Sequence, residues 1–467
     1  MAENSNESRS VASSDRRVVS VRVPSGEYSA AIFAFSFLAA FFLYIDLDIP
    51  ALIILFLLVP VLAYCAWSDR ICFDGRRLRR TGLIFRAWSR IWRFRASLTI
   101  ASVEFVHTTS GRSFRRGGRI LYRYRTSFHG RGLRFSVSST ARGYKEMIRA
   151  VLPRLPQEVL DLQTIEIRDY FREPNRVLAD ALQAGIPSAD VLEGSFRRIR
   201  LEVPRVSKFE QDGKSQSADA VATANLITLA NELKVSGRLL QSLEAFRRAL
   251  YMAPANPRTL FDLSRCLRAF AGIQRDRRLE RRAEALMRLA EKRAGDDRDL
   301  LTNLAESYYR IGDWRRAAIV FQRTVDKFGG NVRSLTGLAE LALRDGRIAH
   351  VVHNFAAAAE LAGSRSVRQR TRDEVEYFTR LNEDEEYMDL ELSRINLLDT
   401  LQSTSSTATW ITLCGFPVIG LGLLFGNPSV ANTGWAVSGL ALLVWLAAGV
   451  FSRMFVLRIP YEHLEED

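Results

Sequence analysis

A spacing that recurs through the middle of the chain constrains its fold more than any other feature. Gly237, Gly312 and Gly346 each stand between two helical patterns, and Phe246, Phe321 and Phe355 each follow nine residues behind one of them. The last two Gly–Phe pairs repeat after 34 residues, the period of stacked helical hairpins. One such hairpin cannot bury its own apolar face, so the pattern demands an array. It is expected over residues 223–362 as about four hairpins.

The residue types inside these hairpins are similar to those of the tetratricopeptide repeat family. In the first, Leu226, Leu229, Ala230 and Leu233 form the inward face of one helix, Gly237 makes the turn, and Phe246 and Ala249 line the second helix before Pro254. The third repeats this with Leu301, Leu304, Ala305, Tyr308, Gly312, Ala317 and Phe321; the fourth with Leu335, Leu338, Ala339, Gly346, Phe355 and Ala358. Thr324, Gly329 and Val351 stand where the family usually has alanine, proline and alanine. The second hairpin carries seven extra residues between its halves, read as an Arg-rich insertion over 271–279: a slack loop, or an exposed basic contact.

The resemblance implies an all-α solenoid that binds protein partners along the first helix of each hairpin. On that rule the groove candidates are Asn231, Arg265, Arg268, Asn303, Glu306, Arg310, Glu340 and Arg344. They carry both signs of charge. The family's Lys and Asn set for clamping a peptide carboxylate is not reproduced, so a free C-terminus is not the expected ligand.

Both ends of the chain call for a membrane. Residues 1–27 are polar and Ser-rich, expected as a disordered tail. Residues 29–45 and 49–67 hold no charge, and neither do 407–425 and 434–451. At 1.5 Å per residue each run approaches the ~30 Å hydrocarbon thickness, so two helical hairpins and four spans are expected. The turn after the first run holds only Asp46 and Asp48, whereas Arg70, Arg76, Arg77, Arg79 and Arg80 follow the second; Arg453 and Arg458 follow the last. Basic flanks favour the cytoplasm, which puts both termini and all folded domains there, as in a bacterial inner-membrane protein. Gly415, Gly420 and Gly422 offer small faces for helix packing, and homo- or hetero-oligomers in the membrane fit such spans.

Between the first pair of spans and the array, the period switches to two. Leu133, Phe135 and Val137 alternate with Arg134, Ser136 and Ser138, and Tyr122 and Tyr124 with Arg123 and Arg125. Further strands are expected over 83–94 and 98–106, then one helix from about Gly143 to before Pro153. Asp74-Gly75-Arg76-Arg77-Leu78, Gly82-Leu83, Gly143-Tyr144-Lys145-Glu146-Met147 and Leu152-Pro153-Arg154-Leu155-Pro156 give residues 70–156 a resemblance to the bacterial pleckstrin-homology-like family. It implies a small β domain with a terminal helix, working at a membrane.

Seventeen arginines lie between Asp69 and Arg134, against three acids. Near an anionic leaflet each basic residue contributes ~1 kcal/mol. Arg76, Arg77, Arg79, Arg80, Arg86, Trp88, Arg90, Trp92 and Arg93 are therefore the lipid-contacting candidates. The plainer reading is that these arginines fix topology and solvate the sheet. Nucleic acid is set aside because lipid is the nearer polyanion.

The connector over 157–220 reads as helices over 159–171 and 175–192, a strand over 196–203 and a flexible linker over 208–220. Beyond the array, helices over 366–381 and 385–401 are expected to cap it.

No phosphate loop, nucleophile constellation or metal-ligand spacing stands out. His350 and His353 share a helix face without a third ligand, and Cys65, Cys72, Cys266 and Cys414 have no framework spacing. The chain is expected to be a non-enzyme without cofactor or metal: a membrane-anchored scaffold for cytoplasmic proteins. The alternative is an accessory subunit of a transport or lipid-handling system whose spans are the functional core.

Overall fold

The structure is a computed structural model that describes residues 18–23, 26–82, 97–116, 119–196 and 216–455. It divides into two compact parts. Among the described residues an apolar helical part comprises 26–69, Gly82 and 376–455; the other part carries the sheets and the repeats.

The first strand, β1 (Val19–Arg22), lies in the segment expected as a tail. It pairs antiparallel with β2 (Arg70–Phe73), with Val21 opposite Ile71, and both side chains are buried. Four residues gain strand structure only through that distant partner, so nothing local announces them.

Two apolar helices follow. α1 (Gly26–Tyr44) and α2 (Asp48–Ser68) are joined by a tight turn at Asp46, whose φ is 59°. Pro60 sits in α2 just after a π-helical turn, Ile54–Leu58, which accommodates the hydrogen bond that proline cannot make.

β2 continues through β3 (Arg77–Arg80) to β4 (Ser97–Thr99), giving a four-stranded antiparallel sheet in the order β1-β2-β3-β4. β5 (Phe105–Arg116), β6 (Arg119–Gly130) and β7 (Leu133–Ser138) make a second, three-stranded sheet. A 3-10 turn at Ile100–Ser102 splits the single strand expected over 98–106. Gly130 presses on that turn: a Cβ there would lie 2.2 Å from the Ser102 carbonyl oxygen. Helix α3 (Tyr144–Val151) closes the sheets, burying Tyr144, Met147, Ile148 and Val151 in one core with Leu78, Leu98, Phe128 and Val137. The strand candidate over 83–94 lies outside the described residues.

The connector is helical: α4 (Leu162–Tyr170), α5 (Pro174–Gln183) and α6 (Ala189–Phe196). The expected strand over 196–203 lies beyond the described residues save Phe196, which ends α6. The array then begins earlier than expected. α7 (Gln216–Val235) takes in residues 216–220 of the proposed linker and pairs with α8 (Leu239–Met252). α9 (Pro257–Gln274) pairs with α10 (Arg277–Arg293), α11 (Arg298–Ile311) with α12 (Trp314–Phe328), and α13 (Val332–Arg344) with α14 (Ile348–Leu361).

Asn256, Asp276, Asp297, Asp313 and Asn331 cap helix starts with their side chains, each satisfying backbone N–H groups that a helix leaves unpaired. The first-hairpin glycine, Gly237, and its counterparts Gly312 and Gly346 all have positive φ, which explains their spacing in the sequence.

The second hairpin contains no slack loop. Its helices run to 18 and 17 residues against 14 and 15 in the third, and only Arg275 and Asp276 separate them. The seven extra residues lengthen both helices, with Asp276 capping α10 through the Arg278 N–H at 2.7 Å.

α15 (Arg365–Glu383) follows, and the division between the two parts falls inside it, after Val375. Of the expected caps on the array, Phe378 thus belongs to the apolar part, where the adjacent Tyr377 meets Tyr387 edge-on. α16 (Glu385–Leu424) is 40 residues long, ~60 Å at the usual rise, and pairs with α17 (Pro428–Met454). Gly415 and Gly422 let α17 approach: a Cβ at either would overlap Ser438 Oγ or the Ala431 backbone. Gly420 faces open space and takes no part in this contact. Phe37 of α1 packs on Phe416 and Trp435, and Tyr44 donates to Asn432 at 2.7 Å.

Among the described residues, three helices are long and apolar enough to cross a membrane: α2, α16 and α17. The remaining run falls in α1, whose apolar stretch Tyr28–Tyr44 is shorter.

Candidate binding face of the repeat array

The face formed by the first helices of the hairpins is occupied by the chain's own connector. Helix α4 starts at Asp161, whose carboxylate caps it by accepting the Thr164 N–H at 2.9 Å. Asp161 Oδ2 also pairs with Arg310 of α11 at 2.6 Å and with His107 Nδ1 of β5 at 3.2 Å. Burial alone would push this carboxyl up. The hydrogen bond from His107, the Arg310 charge and the bonds from Thr164 outweigh it and hold Asp161 below the usual carboxylate range.

Further along α4, Glu166 reaches Lys234 of α7 at 2.6 Å and Arg265 of α9. Burial again acts upward, and again the two cations win, so Glu166 stays ionised. On the other side of Asp161, Glu158 accepts the backbone N–H groups of Gly363 and Ser364, at 3.2 and 2.7 Å, where α15 begins. The opposite face of α4 belongs to the sheet. Thr164 Oγ1, Thr108 Oγ1, Thr126 Oγ1 and the Tyr144 hydroxyl form a buried chain at 2.8, 3.1 and 2.9 Å.

Two clefts flank the connector, one beside α4 and one at the residues before it. One of about 280 Å³ is lined by Glu166, Lys234, Arg265, Tyr122 and Tyr124. The other, about 460 Å³, is bounded by Asp161, Arg310, Phe105, Tyr309, Glu340 and Arg370 among others. Glu340 is open to water at this cleft, yet the protein around it removes enough solvent to push its carboxyl up. Arg370 lies over the Phe105 ring at 5.1 Å.

The sequence candidates divide accordingly. Arg265 and Arg310 bind α4, while Glu306 and Glu340 line the larger cavity. Glu306 is gripped by Arg333 through two 2.6 Å bonds, and the same guanidinium donates to Asn303 at 3.1 Å. Asn231 is buried between hairpins, donating to Asp262 at 3.1 Å. Arg268 is half-buried, and lost solvent lowers its pKa against the pull of Glu280 and Glu284. Arg344 lies 4.0 Å over the Trp314 ring.

Sequence reasoning missed Asp161, Glu166, Lys234 and Arg333. The available signal was weak: acids at 161 and 166 set among Leu160, Leu162, Ile165 and Ile167. Of the lipid candidates, Arg76, Arg77 and Arg79 are exposed around the β2–β3 turn and Arg80 is half-buried. Asp74 fixes that turn by accepting the Arg76 and Arg77 N–H groups at 3.0 and 2.8 Å. Arg86, Trp88, Arg90, Trp92 and Arg93 lie outside the described residues.

Eight helices in four antiparallel pairs, with turn glycines at the repeat spacing, settle the architecture. The array is a tetratricopeptide-like helical repeat. No protein-family model matches the chain, and no curated protein matches it. Among solved structures, the crystal structure of the APC/C hetero-tetramer Cut9-Hcn1 is similar at 11% identity with a TM-score of 0.30. The match covers 67% of this chain and 52% of that one, so the chain spans about half the length of the solved chain. The repeat architecture therefore rests on this chain's own helices and their spacing.

Proposed function

We propose that the chain is a membrane-anchored repeat scaffold that binds protein partners and organises a membrane-associated complex, without catalysis of its own. The observation that carries this reading is a helical-repeat array flanked in sequence by helices apolar and long enough to span a bilayer. In this reading α1 also spans, which requires only a modestly thinned or locally adjusted bilayer. The basic flanks then put the repeats and both termini in the cytoplasm of a bacterial inner-membrane protein.

Two antiparallel sheets, to each of which residues 70–156 give three strands, closed by one helix, support a pleckstrin-homology-like role for that segment. There the exposed Arg76, Arg77 and Arg79 would meet anionic headgroups, since only Asp69 separates α2 from β2. Protease digestion of oriented vesicles tests the topology: cleavage of the repeats from the non-cytoplasmic side alone overturns it. Capture from native membranes with the full chain as bait tests the scaffold, and no stoichiometric partner would contradict it.

One observation favours the alternative, in which the spans are the working core of a transport or lipid-handling subunit. The contact of α16 with α17 is close, Gly415 against Ser438 and Gly422 against Ala431, and Phe37, Phe416 and Trp435 pack around it. Gly422→Leu would separate the two readings, because it splays the spans while leaving partner capture by the array intact.

A further inference from the structure

Three carboxylates within nine residues of the connector are each held by a different part of the array. Glu166 lies between Lys234 of the first hairpin and Arg265 of the second. Asp161 meets Arg310 of the third. Glu158 takes the two backbone N–H groups just past the fourth. Residues 158–166 thus run the length of the array on its first-helix face, where the family resemblance places a partner's peptide.

The contact combines charged anchors with apolar ones, since Val159, Leu160, Leu162 and Ile167 are buried beside residues of the array. Its charged anchors are ion pairs and charge-assisted hydrogen bonds, and clefts of about 280 and 460 Å³ flank it. Both clefts are partly open to solvent. The hydroxyl chain from Thr164 to Tyr144 and the Asp161 N–H bond to Val106 tie the segment to the sheet, which would carry it away as one piece.

We propose that residues 158–166 are a built-in ligand of the array, holding its binding face closed until an acidic segment of a partner protein takes their place. The proposal rests on the scaffold reading and adds the partner's chemistry. With the segment in place Lys234 is buried, Arg265 half-buried and Arg310 exposed, and all three lose a carboxylate partner when it leaves. A partner segment that carries carboxylates restores those charge-assisted pairs.

The test is fluorescence anisotropy with a labelled peptide of residues 157–171 and the full-length protein in nanodiscs. Wild type, whose face is already filled, should bind the peptide at least tenfold more weakly than the D161N/E166Q variant. The same peptide with Glu158, Asp161 and Glu166 replaced by their amides should not bind that variant. Equal binding by wild type and variant overturns the proposal, as does no binding by the variant or equal binding of the amide peptide. Should the double variant fail to fold, E166Q alone is read in the same way, with a smaller gain. The readout involves no natural partner, so its failure sinks the built-in ligand even if membrane capture upholds the scaffold.

Discussion

Where Phe321 of the third hairpin meets the fourth, the packing is apolar and close. Phe321 is 1% exposed, and its ring fits against Gly337 of the next hairpin so closely that a Cβ there would lie 2.4 Å from Cζ. Where the connector meets the same array, carboxylates face cations beside the buried Leu160, Leu162 and Ile167. The two surfaces differ in physics. Close apolar packing makes the first intolerant of any change in volume, whereas the second adds charge pairs to its apolar contacts and answers to charge as well.

Truncating the apolar interface should do the most damage. Phe321→Ala removes a buried ring and should cost ~3–5 kcal/mol, seen as a lower denaturant midpoint for the whole array. Gly337→Ala inserts one methyl against that ring and should cost ~1–3 kcal/mol. If Phe321→Leu added to Gly337→Ala recovers none of that loss, the close approach is not its cause.

Changes on the polar surface should be smaller and local. Arg265→Ala leaves Glu166 with Lys234 alone and should cost ~1–3 kcal/mol, with the loss confined to the α4 contact. Acid should act in the same place. Asp161 and Glu166 have folded pKa values depressed below their ordinary 3.8 and 4.5. Their stabilisation is therefore complete above about pH 5 and disappears as pH falls through the folded values. Glu340 has the opposite sign: its raised pKa favours the folded state at low pH, an advantage lost as pH rises past 4.5. Glu340→Gln should flatten stability above that point and leave the acid limb, measured by melting at stepped pH, unchanged. Smallest of all, Arg347→Ala breaks an exposed pair with Asp345 and should shift stability by no more than ~0.5 kcal/mol.

The same contrast explains what could be read in advance. The apolar interfaces write themselves into the sequence as a period, since Phe246, Phe321 and Phe355 and the turn glycines must recur wherever hairpins stack. The second hairpin showed its seven extra residues but not their shape. Extra residues lengthen a loop or two helices with equal spacing, and the Asp276 cap decides it. β1 was invisible because its partner lies some fifty residues away. The polar surface was hidden for the same reason: Asp161 and Arg310 are 149 residues apart, and a lone acid in a connector carries no period. Of the groove candidates, Arg265, Arg310, Glu306 and Glu340 lie against the connector or its cleft, and the connector itself was not foreseen.

Hydrogen exchange on the full-length protein in nanodiscs tests the separability of the polar surface most directly. In the D161N/E166Q variant, amides of 162–170 should lose protection at least tenfold while α11, α12 and α13 keep theirs. Equal loss throughout the array, or no loss in α4, would contradict the account.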